Sequence, residues 1–200
     1  MKKLILTSTG LSNPKVIAEL LDMQPDINKS VAIVVTASRD KENNPWNQLT
    51  KQQFLDAGFS RVDFVDLEFE LNYDFSQCSV IFVSGGNTFK LLKFVQASSF
   101  LAQINLFLEN GGIYIGSSAG SIIVADDISL AGWGSSADEN EVGLEDLRAL
   151  NITEVLVWPH YEESFETEVL AYEEKYQRQV HRLPNDQALV LRDSEIKLIK

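Results

Sequence analysis

The chain has 200 residues, 44% hydrophobic and 23% charged, which suits one domain with a full core and is too short for two. A formal net charge of −12 argues against nucleic acid and against an anionic membrane surface, since both call for clustered Lys and Arg. A single cysteine, Cys78, rules out an internal disulfide and fits a reducing compartment. No window approaches the roughly 20 apolar residues of a membrane helix. The basic start Met1-Lys2-Lys3 precedes only a short apolar run, well short of a secretory core, so a cytoplasmic protein is the expectation.

In chain order, a buried strand is expected over 4–7 and a helix over 13–23, with Asn13 as its cap and Pro14 at its first position. A strand at 31–36 leads to a helix at 46–57 that stops at Gly58, and further strands fall at 62–65 and 80–83. The pattern over 87–109 is helical with a break around 97–99, and it ends at Asn110-Gly111-Gly112. A strand at 113–115 runs into a short helix at 119–125. The rest reads as strands at 154–157, 180–183, 188–191 and 196–199, with an acidic helix at 164–176. Strands alternating with crossover helices imply an α/β fold: a mostly parallel sheet in three layers, helices on both faces, ligands beyond the carboxyl ends of the strands.

Gly116-Ser117-Ser118-Ala119-Gly120 fits the G-x-S-x-G elbow in its required strand–turn–helix setting. Small neighbours let the chain turn sharply around Ser118, and the following amides face the point where negative charge would develop. A serine capping a helix after a glycine turn would use the same letters. Ser117 belongs to the strand end and Ser121 to the helix, so Ser118 is the candidate nucleophile. A hydroxyl needs a base at neutral pH. Of the histidines, His160 follows an apolar run and Pro159 at a strand end, whereas His181 lies within an alternating run. His160 is therefore the candidate base. Val80 to Phe89 is a second strand entering a glycine turn, where Gly85, Gly86 and Asn87 could approach a ligand or simply close a tight loop. With the elbow, the amides of Gly86 and Ala119 suit a pair of oxyanion donors.

Together, Val83-Ser84-Gly85-Gly86-Asn87-Thr88-Phe89, Ile115-Gly116-Ser117-Ser118-Ala119-Gly120-Ser121 and Trp158-Pro159-His160-Tyr161 resemble the signature segments of the dipeptidase E (aspartyl dipeptidase) family of serine peptidases, with cyanophycinase a more distant relative. The resemblance runs along nearly the whole chain. It implies a class I glutamine amidotransferase-like, flavodoxin-like fold with serine in place of cysteine at the elbow. It also implies Ser118 as nucleophile, His160 as base, a small peptide substrate, and neither metal nor cofactor. In the family an acidic residue follows the histidine in a Leu-Pro-Glu type loop. This chain reads Leu183-Pro184-Asn185-Asp186-Gln187, and Asp186 is favoured there, with Asn185, Asp126 and Asp127 as alternatives.

Aspartyl dipeptidases carry an arginine on the helix after the histidine. The matching stretch here is mostly acidic and offers only Lys175 and Arg178, so an aspartyl preference is not carried over. The run 162–174 reads as a solvated helix face, and the Gly- and Ser-rich segment around Trp133 as a surface loop. An esterase sharing the elbow, or a binding protein that kept the fold without catalysis, are the alternative readings.

Overall fold

The computed structural model describes residues 2–193 and 195–200. In chain order they form β1 (Lys3–Thr7), α1 (Pro14–Asp22), β2 (Ser30–Val34), α2 (Pro45–Asp56), β3 (Val62–Val65), β4 (Cys78–Val83), α3 (Thr88–Ala97), α4 (Phe100–Glu109), β5 (Ile113–Ser117), α5 (Ala119–Ile122), β6 (Leu156–Pro159), α6 (Glu166–Tyr176), β7 (Val180–Leu183), β8 (Ala188–Arg192) and β9 (Glu195–Ile199). Seven strands make one sheet in the order β3-β2-β4-β5-β1-β8-β9. Its first five are parallel, and β8 and β9 turn back antiparallel at one edge. The strands β6 and β7 stand outside this sheet and pair with each other, Leu156 with Val180 through Pro159 with Leu183.

Alternation along the strands divides the core. Leu4, Leu6, Ala32, Val34, Ile81 and Val83 face one side, where α3, α4 and α5 pack. Their neighbours Ile5, Val31, Ile33, Val80 and Phe82 face the other, against α1 and α2. Strands apolar on both faces are what a parallel sheet covered by two helical layers requires, and each such side chain contributes about 1.5–3 kcal/mol on burial. A smaller cluster joins β6, β7 and α6 through Leu156, Trp158, Val169, Tyr172 and Val180.

The helices start where their caps dictate. Asn13 Oδ1 accepts the Lys15 amide before Pro14, and Asn44 Oδ1 accepts the Trp46 amide before Pro45, which places the start of α2 one residue earlier than expected. At the expected break, the axes of α3 and α4 differ by 87°. The short helix α5 stops at Ile122 instead of running to 125. Beyond it the carbonyls of Ile123, Val124 and Ala125 accept the amides of Leu150, Ile152 and Asn151, a partnership incompatible with another helical turn. Among the described residues no single helix is long and apolar enough to cross a membrane.

Candidate active site

The carboxyl ends of β1, β4 and β5 open on one edge of the sheet, and Ser118 stands directly after β5. Its backbone has φ +50° and ψ −111°, a combination costly for any residue with a Cβ. The surroundings enforce it. The Ser118 amide donates to Thr7 O at 2.9 Å, and Ser121 Oγ both donates to Thr7 O and accepts from Thr7 N. Buried Tyr114 donates its hydroxyl to Gly120 O at 2.6 Å. Both elbow glycines are sterically required: a Cβ on Gly116 would meet Gly120 O at 2.4 Å, and one on Gly120 would meet Val83 O at 2.1 Å. The two rival serines are committed to backbone, Ser121 to Thr7 and Ser117 to Ser8 O. Only the Ser118 hydroxyl turns to an imidazole.

That imidazole is His160, just past β6, and its φ of +55° is also left-handed. Ser8, at the end of β1, fixes it: Ser8 Oγ accepts the His160 amide at 3.0 Å and donates to Leu183 O at 2.6 Å. His160 Nε2 lies 3.0 Å from Ser118 Oγ, and Nδ1 lies 2.6 Å from Asn185 Oδ1. Facing an amide oxygen, Nδ1 carries the proton and donates it, which leaves Nε2 to accept from the serine hydroxyl.

Of the four candidates for the third position, the structure brings Asn185 to the ring and not Asp186. The two occupy successive corners of a turn closed by Gln187 N to Pro184 O, so their side chains diverge. Asn185 is anchored through its carbonyl, which accepts from Thr9 Oγ1 at 2.5 Å. Exposed Asp186 reaches only the rim of a cavity, its carbonyl held by Asn13 Nδ2. Asp126 and Asp127 pair with Arg178. His181 is half-buried within β7, opposite Val157, and burial lowers its pKa.

The turn between β4 and α3 abuts the elbow. Gly86 has φ +136°, and a Cβ there would lie 2.0 Å from Ala37 O; one on Gly85 would lie 3.1 Å from Ser118 Cβ. Among the described residues the amides of Gly86 and Ala119 have no acceptor. Asn87 is occupied otherwise: Oδ1 caps α3 by accepting from Lys90 N, Nδ2 donates to Glu139 O, and the amide donates to Ala37 O. No group of three or more His, Cys, Asp or Glu side chains among the described residues could hold a metal ion.

Ser118 and His160 form part of the wall between two cavities. The larger, about 930 Å³, is bounded by Arg39, Trp46, Asn47 and the loop after β1. The smaller, about 300 Å³, is bounded by Thr88, Asp138, Trp158, Glu162 and Trp133. The Trp133 segment is therefore not a plain surface loop. Its indole Nε1 donates to Glu168 O, its ring meets Tyr172 edge-on, and Ser135 bonds the Glu168 carboxylate. Nor is α6 merely a solvated face. Glu166 and Glu173 grip Arg182, which holds both carboxyls below their usual range and pushes the guanidinium upward. The loop after β1, Ser8-Thr9-Gly10, went unread in the sequence, although a strand running into successive small hydroxyl residues was its available signal.

A mostly parallel α/β sheet with a strained serine elbow and an adjoining imidazole is an arrangement that acyl hydrolases use. Residues 4–199 match peptidase family S51, and the chain belongs to that family: it is a peptidase. It is 34% identical over 166 residues to an uncharacterised peptidase of Pasteurella multocida, covering 80% of this chain and 78% of that one. With a peptidase E of Nostoc it shares 27% over 135 residues, covering 66% of this chain and 52% of that one. In fold, it superposes on a candidate peptidase E from Listeria monocytogenes with a TM-score of 0.79 at 24% identity, covering 100% and 98% of the two chains. A peptidase from an acI-B1 Actinobacterium gives 0.69 at 18%, covering 100% and 87%.

Proposed function

We propose that the protein is a serine peptidase that hydrolyses short peptides through an acyl-enzyme on Ser118. The observation that carries this reading is the 3.0 Å contact between Ser118 Oγ and His160 Nε2, made from a backbone strained at both residues. In the first step Oγ attacks the scissile carbonyl carbon while its proton passes to Nε2. The resulting oxyanion is stabilised by the amides of Gly86 and Ala119, which have no acceptor among the described residues and so are free to receive it. Return of the proton from Nε2 to the leaving nitrogen accompanies cleavage of the C–N bond. Water then loses a proton to Nε2, attacks the ester carbon, and the C–Oγ bond breaks as the proton returns to Ser118.

Asn185 orients the imidazole and fixes its tautomer. As an amide it supplies no charge to balance the imidazolium, so turnover is slower than a carboxylate would allow. The test is labelling by a fluorophosphonate, with hydrolysis of a dipeptide library alongside. Wild type is labelled and active, and Ser118→Ala is neither. Labelling that survives Ser118→Ala would end the proposal.

A further inference from the structure

Apart from His160, no basic residue lines the smaller cavity, and three from α6 and the segment after it are engaged elsewhere. Lys175 sits over the Trp133 ring, 4.8 Å from its centroid, Arg178 is paired with Asp126 and Asp127, and Arg182 is held by Glu166 and Glu173. None of them lines the cavity; besides His160, the ionisable residues that do are Asp138 and Glu162. Asp138 Oδ2 accepts the Thr88 amide at 2.7 Å, whereas its Oδ1 and the whole Glu162 carboxylate have no partner among the described residues. Thr88 is 0% exposed, lines the same cavity, and its Oγ1 is buried with no hydrogen-bond partner among the described residues. An ammonium or guanidinium group entering the cavity would pair with the two carboxylates, which line it alongside Thr88. The remaining wall is aromatic, from Trp133, Trp158 and Phe165. Such rings accept the alkyl stem of a basic side chain and attract its charged end.

We infer that this cavity is a cation-selective subsite, taking the amino-terminal residue of a short peptide and favouring lysine or arginine there; this rests on the peptidase reading above. The direction of the peptide follows from charge and size. The larger cavity contains Arg39, which has no ion partner among the described residues, and beside it the buried, unpartnered Ser38 Oγ, a setting for a free carboxylate. Its rim also bears Asp186, so it holds both signs where the smaller cavity holds one. The amino end, with its ammonium groups, belongs in the smaller, and about 300 Å³ holds one residue rather than several.

The experiment compares lysyl-alanine, norleucyl-alanine, which has an unbranched side chain without the ammonium group, and aspartyl-alanine. For wild type, kcat/KM for lysyl-alanine exceeds that for norleucyl-alanine by about fivefold or more, the worth of a partly exposed ion pair, with aspartyl-alanine the poorest. Glu162 is exposed and its side chain bonds nothing among the described residues, so its replacement leaves the fold intact. Glu162→Gln shrinks the lysyl-to-norleucyl ratio, and Glu162→Lys shifts preference toward aspartyl-alanine. Equal or better cleavage of norleucyl- or aspartyl-alanine by wild type, or ratios unmoved in both variants, overturns the subsite while the peptidase reading stands. No cleavage of any dipeptide together with an unreactive Ser118 overturns both.

Discussion

Asn185 Oδ1 faces His160 Nδ1 at 2.6 Å, in the place where a carboxylate would neutralise an imidazolium. An amide steers the ring equally well and leaves the developing positive charge uncompensated. Asn185→Asp should therefore raise kcat on a short peptide, on the order of tenfold, while Asn185→Ala should lower it by a similar factor through loss of orientation. Steady-state kinetics on both variants check this, and Asp186→Ala, altering a side chain that does not meet the ring, is the control.

Strain at Ser118 has a stability counterpart. Glycine occupies φ +50° with less penalty than any residue with a Cβ. Ser118→Gly should abolish fluorophosphonate labelling yet stabilise the fold by about 1 kcal/mol over Ser118→Ala. Urea denaturation of the two variants, read as midpoints at constant slope, decides it.

Close approach at the elbow predicts the opposite for its glycines. Gly120→Ala would drive a Cβ to 2.1 Å from Val83 O, a backbone atom that cannot step aside. A loss of about 3 kcal/mol or more, or failure to accumulate folded protein, is the expected outcome. Thermal denaturation and soluble yield measure it.

Acid sensitivity should originate partly at Arg182. Its hydrogen bonds hold the Glu173 carboxyl below the ordinary 4.5, with the Val180 amide adding to the effect. A folded-state value below the unfolded one means that this stabilisation is complete above about pH 5 and disappears as pH falls through the folded value. Arg182→Gln should flatten the decline in stability below about pH 5 while lowering stability at neutral pH. Denaturant midpoints from about pH 3 to 7 provide the readout.

Much of this architecture was legible in the residues. Runs such as Val31 to Val34 and Val80 to Val83 are apolar at every position, which only a strand covered on both faces tolerates, and the Asn-Pro pair at 13–14 marks a helix start. Ser118 and His160 could be picked out because each stands at a strand end with a backbone-shaping neighbour. Asp186 is favoured over Asn185 for its charge, yet it is Asn185 that meets the ring, since adjacent turn residues differ in direction by torsion angles that composition does not encode. The detour of β6 and β7 into their own ladder was likewise hidden, because a strand's period does not say which sheet receives it. The acidic run after His160 read as solvated for a related reason: its partners Arg182 and Ser135 are distant in sequence.

The Ser8 hydroxyl ties the His160 amide to Leu183 O, and so joins at the site two sheets that share no ladder. Alignment of proton donor and acceptor is thus set across a seam between two bodies rather than within either one. Slight loosening of that seam on heating would move the imidazole away from the hydroxyl while both bodies kept their helices and strands. Hydrolysis should accordingly fade at a lower temperature than the far-ultraviolet circular dichroism signal, and Ser8→Ala should widen the gap.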